Sequence, residues 1–350
     1  MAEVSPPECC RLCLQHPMVY NLEIAYMGGD KRMRKFVKAM ALAVLIVGLA
    51  GGLYVGNLIY TEFMTAPWDV VLGVNDDSRD MSVIKAAESK YRWKEVFITA
   101  PDGTRLAGTY VPAARDLHKT VIIFHGIYHN RGMSLTYVPM YRKLGYNVLL
   151  VDHRGFGESG GRGTTWGTNE IGDINAWVTW LRTKDAQVKI GMHGVSLGAA
   201  MELLYAQTDG GHTIAFYVAD SSYGNIMSMA TGKLESIRSE SPLIKGVKII
   251  TPFVEAATWF HTGHVLDYYD PGVAVKHMTS PVLFIHGTDD TLVPPEEARA
   301  LYAACTSQKK EIYFARGASH AMAYQTDAGE YEQKVYRFLG EHPSSGSRKK

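Results

Sequence analysis

Residues 194–198 read Gly-Val-Ser-Leu-Gly, and the central Ser196 is a candidate nucleophile. The motif follows an apolar, strand-like run at 188–192 and opens a helix-like segment at 197–206. This context predicts a sharp turn between a strand and a helix, which exposes the serine hydroxyl. The helix N-terminus carries partial positive charge and stabilises an oxyanion. The chemistry expected is attack of Ser196 on a carbonyl carbon.

A serine hydroxyl is a weak nucleophile until a base removes its proton, and the base predicted is His320. His320 is the last residue of the sequence Gly-Ala-Ser-His at 317–320, which follows a strand-like run at 312–314. The chain order expected for this type of turn is nucleophile, acid and then base. Of the thirteen histidines, only His320 and His342 lie beyond the region where the acid is expected, and His342 lies in the C-terminal tail.

The acid that orients the base is predicted at Asp290, in the segment His-Gly-Thr-Asp-Asp-Thr-Leu-Val-Pro at 286–294. This segment follows a strand-like run at 282–285, and catalytic loops gather at the carboxyl ends of such strands. Two other carboxylates remain alternatives. Asp289 directly precedes Asp290, and Asp220 follows an earlier strand-like run.

An oxyanion intermediate needs two hydrogen-bond donors, and backbone N–H groups are the usual source. One is expected from the residue after the nucleophile, Leu197, and the other from the loop after an earlier strand. That loop reads Phe-His-Gly-Ile-Tyr at 124–128, where Gly126 permits a tight turn and Ile127 is the predicted donor. His125 is interpreted as a brace for this loop rather than as a base.

Five motifs together resemble the α/β-hydrolase superfamily, and in particular its bacterial serine-hydrolase branch that is similar to serine aminopeptidase S33 or dienelactone hydrolase. In chain order they are FHG at 124–126, DHRGFGES at 152–159, GVSLG at 194–198, HGTDD at 286–290 and GASH at 317–320. The resemblance covers about 93–339. It implies a hydrolase without a metal or an organic cofactor, and it leaves the substrate open because this fold supports many chemistries.

Short apolar runs alternate with helix-like segments after residue 93, which predicts a mostly parallel sheet with helices on both faces, an α/β fold. The first two runs, 93–98 and 106–111, flank a Pro-Asp-Gly turn and predict a hairpin. The hydrolase domain is expected at 91–340, followed by a disordered tail at 341–350. The stretch at about 223–268 is too long for an ordinary loop, so a small helical cap insertion is expected there.

Residues 39–59 contain no charged side chain and match the ~20 residues that a membrane-spanning helix needs. Five Lys or Arg residues lie at 31–38, whereas the first four charged residues after the run are acidic. The positive-inside rule then predicts a single-pass protein of the cell membrane, with 1–38 in the cytoplasm and the domain outside it. Residues 60–90 are expected to form a juxtamembrane linker. A cleaved signal peptide is the alternative.

The remaining composition narrows the function classes. The formal net charge is +1 and no basic stripe is interleaved with aromatic residues, so no nucleic-acid partner is expected. Cys9, Cys10 and Cys13 cluster near the N-terminus and only Cys305 lies in the domain, which excludes a disulfide framework there. The function expected is a membrane-anchored serine hydrolase that acts on a small-molecule ester, thioester or amide, with lipid-like molecules among the expected substrates. A peptidase releasing N-terminal residues and a non-catalytic binding protein are the alternatives.

Overall fold

Helices and strands alternate along the computed structural model, which describes residues 31–66, 68–115, 117–209, 214–226 and 242–340. The strands are β1 (Lys94–Thr99), β2 (Arg105–Val111), β3 (Lys119–Phe124), β4 (Asn147–Val151), β5 (Lys189–Val195), β6 (Ile214–Asp220), β7 (Val282–Gly287) and β8 (Lys310–Ala315). The helices are α1 (Lys31–Thr65), α2 (Trp68–Leu72), α3 (Ser82–Tyr91), α4 (Val138–Lys143), α5 (Glu170–Lys184), α6 (Leu197–Asp209), α7 (Pro242–Thr262), α8 (Pro271–Ala274), α9 (Pro295–Ala304), α10 (Ala323–Thr326) and α11 (Ala328–Leu339). Short 3-10 helices lie at Met133–Tyr137, Leu266–Tyr269 and Val275–His277.

The eight strands form one sheet in the order β1-β2-β4-β3-β5-β6-β7-β8. The pairs β1–β2 and β2–β4 are antiparallel, and every pair from β4 to β8 is parallel. The predicted hairpin and the predicted parallel sheet are therefore confirmed. Strand β4 is buried at every position, in agreement with its apolar sequence after Asn147.

Helices cover both faces of the sheet and bury two separate apolar clusters. Trp177 of α5 and Leu204 of α6 belong to the cluster on one face. Tyr141 of α4 and Tyr331 of α11 belong to the cluster on the other face. This arrangement confirms the predicted α/β fold.

Helix α1 contains the apolar run that was predicted to span a membrane. It has 35 residues, and by length and composition it is the helix in the described part of the chain that can cross a bilayer. A signal sequence near an N-terminus meets the same two criteria. The chain from Gly56 onward belongs to the same compact unit as the sheet.

The segment at 60–90, expected as a linker, carries α2 and α3 and packs into the domain. Trp68 and Leu72 join the apolar cluster on one face of the sheet, and Ile84 is fully buried in the cluster on the other. Buried apolar side chains of this size contribute about 1.5–3 kcal/mol each to folding. Residues 60–90 are therefore part of the hydrophobic core rather than a loose connection.

A buried arginine fastens α3 and β1 to the loops at the active edge of the sheet. The guanidinium of Arg131 is fully buried and is paired with four carboxylates. Two of them, Glu88 on α3 and Glu95 on β1, lie 3.2 and 3.0 Å away. The other two, Asp152 and Glu158, follow β4. Removing the cation would leave the buried carboxylate of Asp152 without its ion-pair partner, which is strongly destabilising.

Candidate active site

Ser196 occupies the turn between β5 and α6 with a backbone φ of +53°, a conformation that non-glycine residues rarely adopt. The glycines on either side make this turn possible. A Cβ on Gly194 would lie 2.3 Å from the carbonyl carbon of Gly198, and one on Gly198 would lie 2.4 Å from the carbonyl oxygen of Phe124. The predicted strand, turn and helix around Ser196 are therefore present, and strain at one residue presents its hydroxyl.

Three side chains that are far apart in sequence meet at the carboxyl edge of the sheet. The Oγ of Ser196 lies 2.8 Å from Nε2 of His320, and Nδ1 of His320 lies 2.7 Å from Oδ2 of Asp290. They follow β5, β8 and β7, so the sheet itself sets their spacing. With the proton of His320 on Nδ1, the ring donates to Asp290 and its Nε2 accepts from the serine hydroxyl.

The Asp290 carboxylate is completely buried and its orientation is fixed by the turn that follows it. The N–H groups of Leu292 and Val293 donate to its Oδ1, at 3.0 and 2.8 Å. His286 Nε2 lies 3.2 Å from its Oδ2. Burial alone would raise the pKa of Asp290, but the hydrogen bonds from His286 and His320 outweigh it and hold the pKa well below its usual range. Asp290 is therefore a carboxylate at neutral pH.

The two alternative acids have other partners. Asp289 is exposed and accepts from the hydroxyl of Thr288 at 2.7 Å. Asp220 is fully buried and accepts from the hydroxyls of Tyr331 and Ser221, both at 2.9 Å. In the described ranges neither carboxylate is hydrogen-bonded to His320. Burial, only partly opposed by these hydroxyls, raises the pKa of Asp220.

The two predicted oxyanion donors both lie close to the nucleophile. Leu197 directly follows it, and a Cβ on Gly126 would lie 3.5 Å from the Cβ of Ser196. Ile127 and Leu197 line the same pocket as Ser196. No hydrogen bond from either N–H is found within the part of the chain that the structure describes. Both are thus available to a ligand.

His125 braces the loop that carries Ile127. Its Nε2 accepts the N–H of His153 at 3.1 Å, and its Nδ1 lies 2.6 Å from the carbonyl oxygen of Gly126. The ring is completely buried, and burial holds the pKa of His125 well below its usual range. A neutral ring held in this way positions the loop and does not compete with His320 for the serine proton.

The pocket beside Ser196 is narrow and mostly apolar, with a cavity volume of about 20 Å³, well below the roughly 300–1,000 Å³ of typical ligand sites. Its wall is formed by the side chains of Leu72, Ile127, Trp166, Leu197, Tyr223, Leu292 and Val293. The sequence analysis did not predict that Leu72 and Trp166 line the pocket. Trp166 lies in the long loop after β4, and an aromatic residue in such a loop is the one available signal. Nothing in the sequence around Leu72 indicates its place in the wall.

The expected cap is described only in part. Tyr223 lines the pocket and α7 occupies Pro242–Thr262, whereas 227–241 lie outside the described residues. Metal ligation was not predicted. Among the described residues, no group of three or more His, Cys, Asp or Glu side chains is placed to hold a metal ion.

A model of the prolyl oligopeptidase family matches residues 133–345, which is more than half of the chain. The chain is also 30% identical over 308 residues to the uncharacterized protein YqkD of Bacillus subtilis (strain 168), covering 88% of this chain and 97% of that protein. The chain belongs to the prolyl oligopeptidase family. This member is a serine hydrolase of the α/β-hydrolase fold, as predicted, but its placement in the S33-like or dienelactone-hydrolase-like branch is not confirmed.

Further relatives of this family member point to the same fold. It is 25% identical over 256 residues to the uncharacterized protein YfhR of Salmonella typhimurium, covering 70% of this chain and 81% of that one. The esterase Pf2001 of Pyrococcus furiosus aligns in space over 72% of this chain and 93% of its own, with 27% identity and a TM-score of 0.58. The fold is thus similar to that of a solved esterase.

Proposed function

We propose that this chain is a membrane-anchored serine hydrolase that cleaves a carboxylic ester, with Ser196 as nucleophile, His320 as base and Asp290 as the orienting acid. The observation that carries the proposal is the continuous hydrogen-bonded chain from Ser196 through His320 to a buried, ionised Asp290. This is the constellation that activates a serine hydroxyl in unrelated hydrolases.

The reaction follows from the contacts. As Ser196 Oγ attacks the ester carbonyl carbon, His320 Nε2 takes the hydroxyl proton, and Asp290 stabilises the resulting imidazolium. The carbonyl oxygen becomes an oxyanion held by the N–H groups of Ile127 and Leu197. His320 then returns its proton to the leaving alkoxide, which departs as an alcohol and leaves an acyl-serine. Water, deprotonated by His320, attacks the acyl carbon and releases the carboxylic acid.

The pocket wall favours an ester with an apolar acyl group. Its described side chains are apolar apart from the Ser196 and Tyr223 hydroxyls and the indole N–H of Trp166, and it includes no carboxylate. An aminopeptidase needs an acidic group to bind the free amine of its substrate. Of the glutamates proposed for that role, Glu235 and Glu240 lie outside the described residues. The third, Glu255, accepts the N–H of Leu266 on its own segment at 2.8 Å. Similarity to the esterase Pf2001 supports the same choice.

Peptide hydrolysis is the second candidate, and the family assignment favours it. The same acyl transfer serves an amide, with an amine in place of the alcohol as leaving group. The difference lies in the pocket, because a peptide backbone requires several polar partners and the described wall offers few polar side-chain groups. An ester panel and a peptide panel therefore separate the two.

Retention of α1 as an anchor is supported by how its C-terminal end packs. Asn57 Oδ1 lies 2.7 Å from Nε2 of His261, and the ring of Phe63 lies 5.7 Å from that of Trp166. Cleavage of the apolar run as a signal peptide would remove Asn57 and detach Phe63. The basic residues before the run support a cytoplasmic N-terminus and a catalytic domain on the other side of the membrane.

The test uses the full chain in detergent or vesicles and a fluorophosphonate probe, which reacts only with an activated serine. We expect the wild type and the control Ser89→Ala, an exposed serine on α3, to be labelled, and Ser196→Ala to remain unlabelled. Equal labelling of Ser196→Ala contradicts the proposal, and no labelling of the wild type favours the non-catalytic binding protein. Hydrolysis of p-nitrophenyl esters but not of aminoacyl p-nitroanilides identifies an esterase, and the reverse identifies a peptidase.

A further inference from the structure

The C-terminal end of α1 is in close contact with the cap helix α7. A Cβ on Gly56 would lie 2.4 Å from the carbonyl carbon of Phe253, so the two backbones touch where α1 has no side chain. One turn further, the ring of Tyr60 stacks on that of His261, with 4.7 Å between centroids and 3° between planes. These contacts place α7 beside the last two turns of the uncharged segment of α1.

The depth of α7 relative to a bilayer follows from this contact. Gly56 belongs to the apolar run at 39–59, and no charged residue occurs between Gly56 and Glu62. Phe253 therefore lies at the level of a residue inside the proposed span, about 5 Å from its end at the helical rise of about 1.5 Å per residue. A helix in contact with that level of the span cannot lie far from the membrane surface.

The outward face of α7 has the composition expected of a surface that meets lipid. Ile249, Trp259 and Phe260 are 76%, 60% and 78% exposed, which is unusual for three large apolar side chains on one helix. Ile249 and Phe260 share the side of the helix that carries Phe253, given a period of 3.6 residues. Tryptophan and phenylalanine beside an apolar face are typical of helices that lie in the membrane interface.

We propose that α7 docks in the bilayer interface, with Ile249, Trp259 and Phe260 in contact with the lipid of the membrane that holds α1. This inference rests on the proposed membrane anchoring and adds a second membrane contact, made by the cap. The bilayer is the occupant favoured over a second copy of the chain because the exposed face is continuous with the apolar run through Gly56.

Docking of α7 also brings the catalytic pocket to the membrane. Trp166 lines the pocket of Ser196, and its ring lies 5.7 Å from Phe63, which follows the apolar run by four residues. Trp68 packs against both rings, at 5.0 Å from each. An aromatic wall thus leads from the end of the span to the nucleophile, and it fits an acyl chain drawn from the bilayer better than a solute drawn from water.

The test is fluorescence quenching by brominated phosphatidylcholine in vesicles that contain the full chain. The emission of Trp259 is obtained as the difference between the spectra of the wild type and Trp259→Phe. The emission of Trp93, which lies next to β1, is obtained in the same way from Trp93→Phe and serves as the matched control. We expect the Trp259 emission to lose at least about twofold more intensity than the Trp93 emission. Both substitutions keep an aromatic ring, so folding is preserved.

Equal quenching of the two tryptophans would overturn the docking of α7. The docking would also be overturned if the lipid quenched Trp259 only in monomers and the Trp259 face of α7 formed a covalent crosslink with that of another copy in vesicles. A second copy of the chain, rather than lipid, would then cover the helix. Flotation of the vesicles and fluorophosphonate labelling of Ser196 are measured on the same samples. Loss of flotation counts against the anchor and loss of labelling against the hydrolase, whereas unquenched Trp259 in floating, labelled protein counts against α7 docking alone.

Discussion

Replacing Asp290 by asparagine exchanges one carboxylate oxygen for an amide NH₂ and leaves the shape of the side chain unchanged. The amide oxygen can still accept the N–H groups of Leu292 and Val293, which now bond Oδ1 at 3.0 and 2.8 Å. The NH₂ group then replaces Oδ2, which lies 2.7 Å from Nδ1 of His320. Because an amide NH₂ only donates, Nδ1 must become an acceptor.

The expected loss follows from that change of tautomer. With Nδ1 as an acceptor, the proton of the neutral His320 ring resides on Nε2, 2.8 Å from Ser196 Oγ, and the ring can no longer take the serine proton. Loss of the correct tautomer in a Ser-His-Asp site lowers kcat by about 10⁴-fold. At about 1.36 kcal/mol per tenfold change, this is roughly 5.5 kcal/mol of transition-state stabilisation. Binding is not altered, so KM should change little.

The assay is steady-state hydrolysis of a soluble short-chain p-nitrophenyl ester by wild type, Asp290→Asn and the matched variant Asp220→Asn. Asp220 is equally buried but bonds Tyr331 and Ser221 instead of His320, so its variant should keep kcat within about tenfold. Similar losses in the two variants would refute the assignment of Asp290 as the orienting acid. A kcat for Asp290→Asn close to that of the wild type would refute the triad itself.

Three further outcomes are expected. Burial raises the pKa of Glu202 well above its usual value. The stability that depends on the bound proton is therefore complete below about pH 4.3 and falls as the pH rises. Glu202→Gln should accordingly have a higher melting temperature than the wild type at pH 8 but not at pH 4. Gly198→Ala should lower the free energy of unfolding by about 1–3 kcal/mol or prevent folding because its Cβ meets backbone, whereas Gly163→Ala, with open space, should be neutral in the same denaturant titration. Leu72→Ala should shift the preferred acyl chain of the ester panel to greater length, and Leu117→Ala, exposed and away from the pocket, should leave it unchanged.

The features that could be predicted from the sequence are those determined by interactions between residues close together in the chain. The apolar runs became the strands of the parallel sheet because a strand buried on both faces needs an unbroken run of such residues. The glycines around Ser196 predicted its turn because the backbone at 194 and 198 leaves no room for a Cβ. Chain order and the position after a strand then sufficed to place His320 beside Ser196.

What escaped prediction depends on tertiary packing. Residues 60–90 have no strong periodicity, yet Ile84 is fully buried, because the sheet offers a face that α3 covers. Leu72 enters the pocket wall through a short helix of five residues, too brief to leave a pattern. The contact of Gly56 with Phe253 joins positions almost 200 residues apart, and nothing at either position indicates the other.

The packing of the segment between α1 and β1 bears on how the activity is distributed in a cell. Many enzymes held at a membrane by a loose stalk are shed by a single proteolytic cut and continue to work in solution. Here a cut within 69–91 would separate Trp68 from the sheet it packs against, and a cut after Ile84 would remove that side chain as well. Losing one large buried side chain costs about 2–5 kcal/mol. If α1 anchors the chain as proposed, shedding would therefore destabilise the catalytic domain, and activity is expected only in the membrane-bound form.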